Sequence, residues 1–530
     1  MNRVLSRIIT ATTLFAAAAL MTRFGAVRSA HAQSLPTHTT NLPSWFPPVW
    51  MQAQQAPMQS STQSGQMPET IPQFMESPDP SGRVATYQPA GATATAGHSF
   101  FSSLGTNGRT CFSCHQPQSG WAMNPATATD IFYATQGNDP LFAPVDGANC
   151  PDSGAAAETL EDKAAASSQL LQKANIRVFL PVPADAEYQV SVLNDPYGCE
   201  NSAQYGLPAG MLSMYRRVLN STNLTRNAQF GASPTSISGQ GTIMWDGREP
   251  SLQSQFVDAT LGHAQATTAP TSDQVDQGVN FEIGLFTAQS YGNQAGRLSA
   301  AGATGGPVNL SRIGVANVPQ QTFPPQPLAF HTYDAWTLPT NSAAQASINR
   351  GQVIFNTRTF TIRGVAGFND AGPGNPAANS TCSTCHNNLN VGSDVVAGGR
   401  HLGIGDNSSA DQSGNQITAT VLLPTSDQPL FSFLCPVGSI PFFSNPTTVN
   451  GVTYDEFETT DPGMGLITGK CSDLGKFKVP RLNGLAARAP YFHNGNAATL
   501  QDLVDFYNTR FSIGLSAQDE QDLINFLNSL

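Results

Sequence analysis

Apolar positions fall into helical spacing at three places along the chain. Leu500, Leu503, Val504 and Tyr507 follow i, i+3, i+4, i+7, the repeat of one helix face. Ile348, Val353, Ile354 and Phe355 give an apolar face upstream of a Cys-x-x-Cys-His unit, and Phe100, Phe101 and Leu104 do the same upstream of another. A last helix is announced by Ser516 with Asp519 three residues on, a capping-box pattern. Its buried stripe is Leu523, Ile524, Leu527 and Leu530. Residues 124–235 are rich in Gly, Pro, Ala and Asn, show no strong period, and read as an insertion. The pattern predicts helices at these places, and one local unit, helix then Cys-x-x-Cys-His, occurs twice.

The N-terminus changes the compartment. Arg3 and Arg7 precede a largely apolar run from Ile8 to Met21, too short to span a bilayer comfortably. Ala30-His31-Ala32 is a small-x-small cleavage site, so 1–32 reads as a signal peptide, with an uncleaved anchor as the other reading. A periplasmic or secreted protein is expected, with no membrane association after cleavage. Residues 33–90, rich in Pro and Gln, read as a linker.

Charge comes next. Only 12% of residues are charged, so charge-driven disorder and coiled coils are excluded. Net charge is −11, and −15 once the four arginines of the first 32 residues are removed. Such a surface is a poor nucleic-acid binder and attracts a small basic protein partner.

Cys111-Phe112-Ser113-Cys114-His115 and Cys382-Ser383-Thr384-Cys385-His386 are c-type haem attachment motifs. Two thiols three residues apart reach the two vinyl groups of one porphyrin, and the next residue places an imidazole beneath the iron. His115 and His386 are therefore expected as metal ligands, on two covalently bound haems c. A redox dithiol or half a zinc site is the competing reading, but no second pair stands near either motif. Proximity in sequence pairs the remaining cysteines as Cys150–Cys199 and Cys435–Cys471.

Further motifs carry a resemblance. Met244-Trp245-Asp246-Gly247-Arg248 is similar to the Trp-Asp-Gly-Arg signature of bacterial dihaem cytochrome c peroxidases and their MauG-type relatives. The stretch Phe477-Lys478-Val479-Pro480-Arg481-Leu482, continuing through Ala489-Pro490-Tyr491-Phe492-His493-Asn494-Gly495, resembles the family's C-terminal block. His401-Leu402-Gly403-Ile404-Gly405 resembles its loop after the second haem. The resemblance spans about 95–122, 240–270 and 340–530. It implies an all-α fold of two cytochrome c-like domains with long loops, 91–335 with the large insertion at about 124–235, and 336–530.

The resemblance also implies roles. Trp245 matches the Trp between the haems that helps electrons pass; a core Trp is the alternative. Arg248 orders a turn, pairs with a propionate, or forms a plain surface salt bridge. Gln255, ten residues after Trp245, matches the family's distal Gln on the N-terminal haem. Its catalytic Glu falls on Gln265, an amide that cannot shuttle a proton. His263 is the candidate to replace it, because imidazole titrates near neutrality; a structural or propionate-bonding His is the other reading. No His lies between His115 and His263, so the removable His ligand of some members is absent, and Met123 is a weak substitute. On the C-terminal haem the sixth ligand falls on Tyr507, as in MauG-type members, with a core Tyr or ligation by Met464 as alternatives. His493 orders the interface between the haem domains. The family binds calcium there, partly through main-chain carbonyls near Pro-Tyr-Phe-His, but Arg488 stands where a small polar residue is usual. The expected activity is reduction of hydrogen peroxide, with a small cytochrome c or cupredoxin as electron donor. An electron carrier without turnover, or a MauG-type or oxygenase-type enzyme using peroxide or dioxygen, remains open.

Overall fold

A computed structural model of the chain describes residues 67–530, apart from 200–209, 227–242, 314–327, 338, 373, 395–397, 407–408, 411–415 and 418–425. The expected signal peptide and most of the expected linker lie outside the described residues. From Phe74 the chain forms strands, so the end of the 33–90 segment is built into the body of the protein.

Helices surround both cysteine motifs. The first motif is itself a single turn, α1 (Cys111–Cys114), followed by α2 (Pro125–Thr135). Two helices, α3 (Leu252–Gly262) and α4 (Ser272–Ile283), then return to it. In the C-terminal half α5 (Ala343–Thr357) precedes the second motif, and α6 (Leu500–Phe511) and α7 (Ala517–Leu527) follow it. The capping boxes at Ser342, Thr499 and Ser516 satisfy the first amide groups of α5, α6 and α7. The periodic stretches at 348–355 and 500–507 and the last one from 517 to 527 are thus helical, although Val353 faces outward and Leu530 lies beyond the helix end. Phe100 and Phe101 lie in a turn and Leu104 in irregular chain, none of them in a helix. Gly105 and Gly108 follow at once, and the two phenylalanines bury themselves against Phe281 of α4 instead.

The all-α expectation is wrong: 32% of residues are helical and 21% lie in strands. The strands β1 (Phe74–Asp79), β2 (Gly82–Tyr87), β6 (Phe286–Gly292) and β7 (Gly296–Arg297) make one antiparallel sheet. It backs the first motif, where the Trp121 indole donates to Thr86 Oγ1 at 2.8 Å. Two more strands, β3 (Asn175–Pro181) and β5 (Met211–Arg217), pair from Asn175↔Arg217 to Pro181↔Met211. A second four-stranded sheet joins β4 (Gln189–Asn194) to β8 (Leu430–Pro436), then to β10 (Val452–Thr459) and β9 (Pro446–Val449).

The physical reason lies in alternation at a period of two. On β8, Phe431, Phe433 and Cys435 are fully buried, and on β10 Asp455, Phe457 and Thr459 are too. Such six- to eight-residue runs of β-branched and aromatic residues fit a half-buried pleated surface. The segment 124–235 carries β3, β4 and β5, so it contributes walls to the body.

Candidate functional site

Each cysteine motif is set by the residue before it. Thr110 accepts from the Ser113 amide at 3.2 Å, and the Ser113 hydroxyl accepts from the Thr110 amide at 3.1 Å. On the second motif the Thr384 hydroxyl accepts from the Thr381 amide at 2.8 Å, and the Thr384 amide donates to the Thr381 carbonyl at 3.0 Å. Both histidines are anchored by a carbonyl six residues on: His115 Nδ1 lies 2.9 Å from Trp121 O, and His386 Nδ1 lies 2.6 Å from Gly392 O. Binding the other ring nitrogen this way fixes the ring and frees Nε2 as a donor to metal. Burial lowers the His115 pKa and takes His386 to about 4, so both rings are neutral. Burial pushes the thiols of Cys114, Cys382 and Cys385 up to about 12. A redox dithiol needs the opposite shift, so that reading loses its basis.

A large cavity opens over each motif. One is lined by Cys111, Cys114 and His115, and the other by Cys382, Cys385 and His386. Haem c fits these sites on the chemistry of their lining. Lys478 and Arg481 face both cavities and Arg488 faces the second. Desolvation and neighbouring guanidinium groups push Lys478 down to about 7 and Arg481 to about 9. Desolvation pushes Arg488 to about 10. The Nε atoms of Arg481 and Arg488 have no hydrogen-bond partner. Buried cations short of anions are costly, and porphyrin propionates would supply the anions.

Arg217, Val218, Trp245, Lys478 and Arg481 line both cavities, which makes them the wall between the two. Trp245 is 9% exposed and held at two points. Its indole donates to Arg217 O, and its carbonyl accepts from the Lys478 amide, each at 2.8 Å. Gly247, at φ +70°, makes the turn after it. Asp246 accepts from the Arg248 amide at 3.2 Å and also pairs with its guanidinium. Arg248 thus orders the turn, and it lines the N-terminal cavity as well. Arg216 bridges Asp246 and Asp461 behind it. His493 stacks on Phe477 with centroids 3.7 Å apart and meets the Trp245 ring edgewise at 6.3 Å. Burial takes its pKa down to about 4.

The expected distal residues separate. Gln255 and His263 line the N-terminal cavity. Gln265 does not; it is exposed and its side chain accepts from Asn107 at 3.2 Å. His263 caps α3, and its Nδ1 is bound to Asp146, which is itself bound to Arg109. Burial alone would raise the Asp146 carboxyl, but Arg109 and His263 hold it below the usual range.

Sequence reading missed Asp146 and Glu282. Glu282 on α4 lines the N-terminal cavity at 7% exposure, its Oε2 has no partner, and desolvation pushes it up to about 8. A charged residue on the apolar face of α4 was the available signal.

On the C-terminal side Tyr507 lines the cavity opposite the second motif. Burial, then the nearby Cys385 and Cys382, raise its pKa. Met464 caps a short helical turn and faces neither cavity. Met123 is wholly buried in a core with Ile131 and Phe132. Cys435 and Cys471 form a disulfide. Cys150 and Cys199 are buried neighbours whose sulfurs are not joined. Among the described residues, no group of three or more His, Cys, Asp or Glu could hold a metal ion, and no helix is long and apolar enough to cross a membrane.

Comparisons with known proteins agree with this site at the level of class. Cytochrome-c peroxidase IdrP1 of Pseudomonas sp. (strain SCT) is 38% identical over 81 residues, 13% of this chain and 21% of its own. Cytochrome c551 peroxidase of Nitrosomonas europaea is 38% identical over 69 residues, 12% and 21% of the two chains. Cytochrome c peroxidase Ccp of Escherichia coli (strain K12) is 35% identical over 79 residues, 14% and 17%. The chain thus spans about a fifth of the length of these curated relatives. No family model matches. A solved MauG-like protein associated with microbial copper homeostasis matches 60% of this chain and 76% of its own, at 13% identity and a TM-score of 0.30, too low to carry an argument. The chain is similar in sequence to bacterial cytochrome c peroxidases, and its resemblance to the dihaem cytochrome c peroxidase and MauG superfamily stands on these matches and on the motifs.

Proposed function

We propose that the chain is an exported dihaem c oxidoreductase that reduces hydrogen peroxide, fed with electrons by a small cytochrome c or cupredoxin. The observation that carries this reading is Trp245, fixed in the wall shared by two cavities that each open on a Cys-x-x-Cys-His motif. Haem iron, when bound, supplies the one-electron chemistry. Hydrogen peroxide takes up two electrons and two protons and leaves as two waters.

The protein's part is proton handling and coupling. His263 donates Nδ1–H to Asp146, so Nε2 carries the lone pair and takes a proton from the substrate, then returns it. Gln255 orients the substrate by hydrogen bonding. Trp245 couples the cavities through a polarisable indole. The disulfide Cys435–Cys471 fits an oxidising compartment, and a net charge of −15 after signal removal favours a basic donor protein. Tyr507 at the second cavity favours one further reading, MauG-type oxidation of another substrate.

The test combines spin state with turnover. Ferric protein should give a high-spin electron paramagnetic resonance signal from the N-terminal haem. Peroxide turnover with a reduced small cytochrome should fall about 10²- to 10⁴-fold in His263→Ala. Two wholly low-spin haems and no turnover would make the protein an electron carrier.

A further inference from the structure

The wall between the cavities is organised around one guanidinium. Arg217 ends β5 and is 5% exposed. Its Nη atoms donate to four main-chain carbonyls: Met123 at 2.8 Å, Arg488 at 2.7 Å, Ala489 at 3.5 Å, and Lys173. Its amide donates to His493 O at 2.7 Å, and its carbonyl accepts the Trp245 indole at 2.8 Å. Four separate stretches, around 123, 173, 245 and 488–493, therefore converge on one residue. No salt bridge pairs Arg217 with a carboxylate among the described residues. The charged and titratable groups beside it are Arg488 and Tyr491, and desolvation with the Arg488 charge pushes its pKa down to about 9.

A buried cation ringed by carbonyl oxygens is the ligand arrangement of a hard metal ion such as calcium. The resemblance implied calcium between the haems, held partly by carbonyls near Pro490-Tyr491-Phe492-His493. The residues present do not fit it. Two carbonyls just before Pro490 are committed to Arg217, and no carboxylate cluster for a metal is present among the described residues.

We propose that Arg217 is a built-in cation that takes the place of the inter-haem metal ion. It acts as a positioning residue: the side chain pins the loop before Pro490, and the backbone of the same residue pins His493 and Trp245. The covalent tether removes the entropy loss of binding a free ion, and the fixed fork of a guanidinium suits several carbonyls at once. The proposal rests on the shared wall and not on peroxide as substrate. Its tests read metal content and rescue, so its failure and the failure of the functional reading are distinguishable.

The first experiment uses the intact holoprotein. After dialysis against a chelator it should retain less than about 0.1 calcium per chain. Its melting temperature should not move on adding or removing calcium, since a native-state ligand would raise it. One calcium retained per chain, or a drop in melting temperature with chelator, would overturn the proposal. The second experiment uses Arg217→Ala, which leaves a gap lined by the four carbonyls. Its electron exchange between the haems should slow, and millimolar methylguanidinium should restore both that rate and the melting temperature. Phe431→Ala, in the remote sheet, should show no such rescue. A folded Arg217→Ala protein that methylguanidinium does not rescue would refute the cation role. If that variant does not fold, calcium content of the native chain decides alone.

Discussion

The two Cys-x-x-Cys-His sites are one framework filled in two ways. In each, the residue before the Cys-x-x-Cys turn donates its amide to a hydroxyl three residues on, and a carbonyl six residues past the His fixes its ring. An upstream Phe lies beside that ring, Phe100 at 6.2 Å from His115 and Phe355 at 6.1 Å from His386. That Phe meets another on a downstream helix, Phe281 of α4 or Phe526 of α7. The next residue in each helix faces its cavity, and there the two part company. It is Glu282 in the N-terminal half and Leu527 in the C-terminal half. The N-terminal cavity also receives Gln255, His263 and Arg248, whereas the C-terminal one receives Leu503, Val504, Leu523 and Tyr507. The shared frame presents the Cys-x-x-Cys-His unit. The lining brought by other segments gives the N-terminal site a carboxyl, an amide and an imidazole, and the C-terminal site a run of leucines with a tyrosine.

The largest expected effect breaks the frame itself. Replacing Cys382 and Cys385 together by Ala should halve the haem content per chain and abolish turnover while the N-terminal haem stays attached; a pyridine haemochrome assay checks the first and a peroxide assay the second. Next comes the dyad at the N-terminal cavity. Asp146→Asn should lower peroxide turnover about 10- to 100-fold, less than His263→Ala, and Gln265→Glu should change it less than about threefold because residue 265 faces Asn107. A gain in Gln265→Glu comparable to the loss in His263→Ala would return the catalytic role to that position.

A smaller effect is expected from Glu282. Its carboxyl keeps its proton in the fold up to about pH 8, while an unfolded Glu loses it near 4.5. Between those values the folded state holds more protons, so stability falls as pH rises from about 4.5 to 8 and levels off above. Glu282→Gln should remove this slope and stabilise the fold most near pH 8, read from denaturant melts across that range. Leu527→Glu should introduce a similar slope into the C-terminal half. The smallest change is spectroscopic: Tyr507→Phe should alter the absorption of the C-terminal haem alone and leave haem content at two.

Much of this was legible in the chain. The Cys-x-x-Cys-His units and the helices at 343–357, 500–511 and 517–527 follow from local spacing, which sequence preserves, whereas attention to Trp245 came from the family resemblance. What stayed hidden is long-range. Asp146 lies 117 residues before His263, and nothing local connects them. Arg217 closes a strand inside a stretch without helical period, and its partners are backbone atoms, which have no sequence signature. The sheets were missed because runs such as Phe431-Ser432-Phe433-Leu434-Cys435 are short and lie far from the motifs that drew notice. Gln265 shows the reverse failure: counting from Trp245 found the matching position, but residue 265 takes a positive φ of +55° just beyond α3 and turns away from the cavity.

The pairing of β4 with β8 has a consequence for how the protein is made. A strand from the first half has no neighbour until one from the second half has been synthesised. The same holds for Asn175, whose side-chain amide reaches Asn494 O at 2.8 Å. Such distant partners zip late. Both attachment turns, by contrast, are ordered by residues three positions apart. Assembly therefore has a natural order: the Cys-x-x-Cys turns can form locally, and the surrounding shell shuts only once both halves of the chain are present.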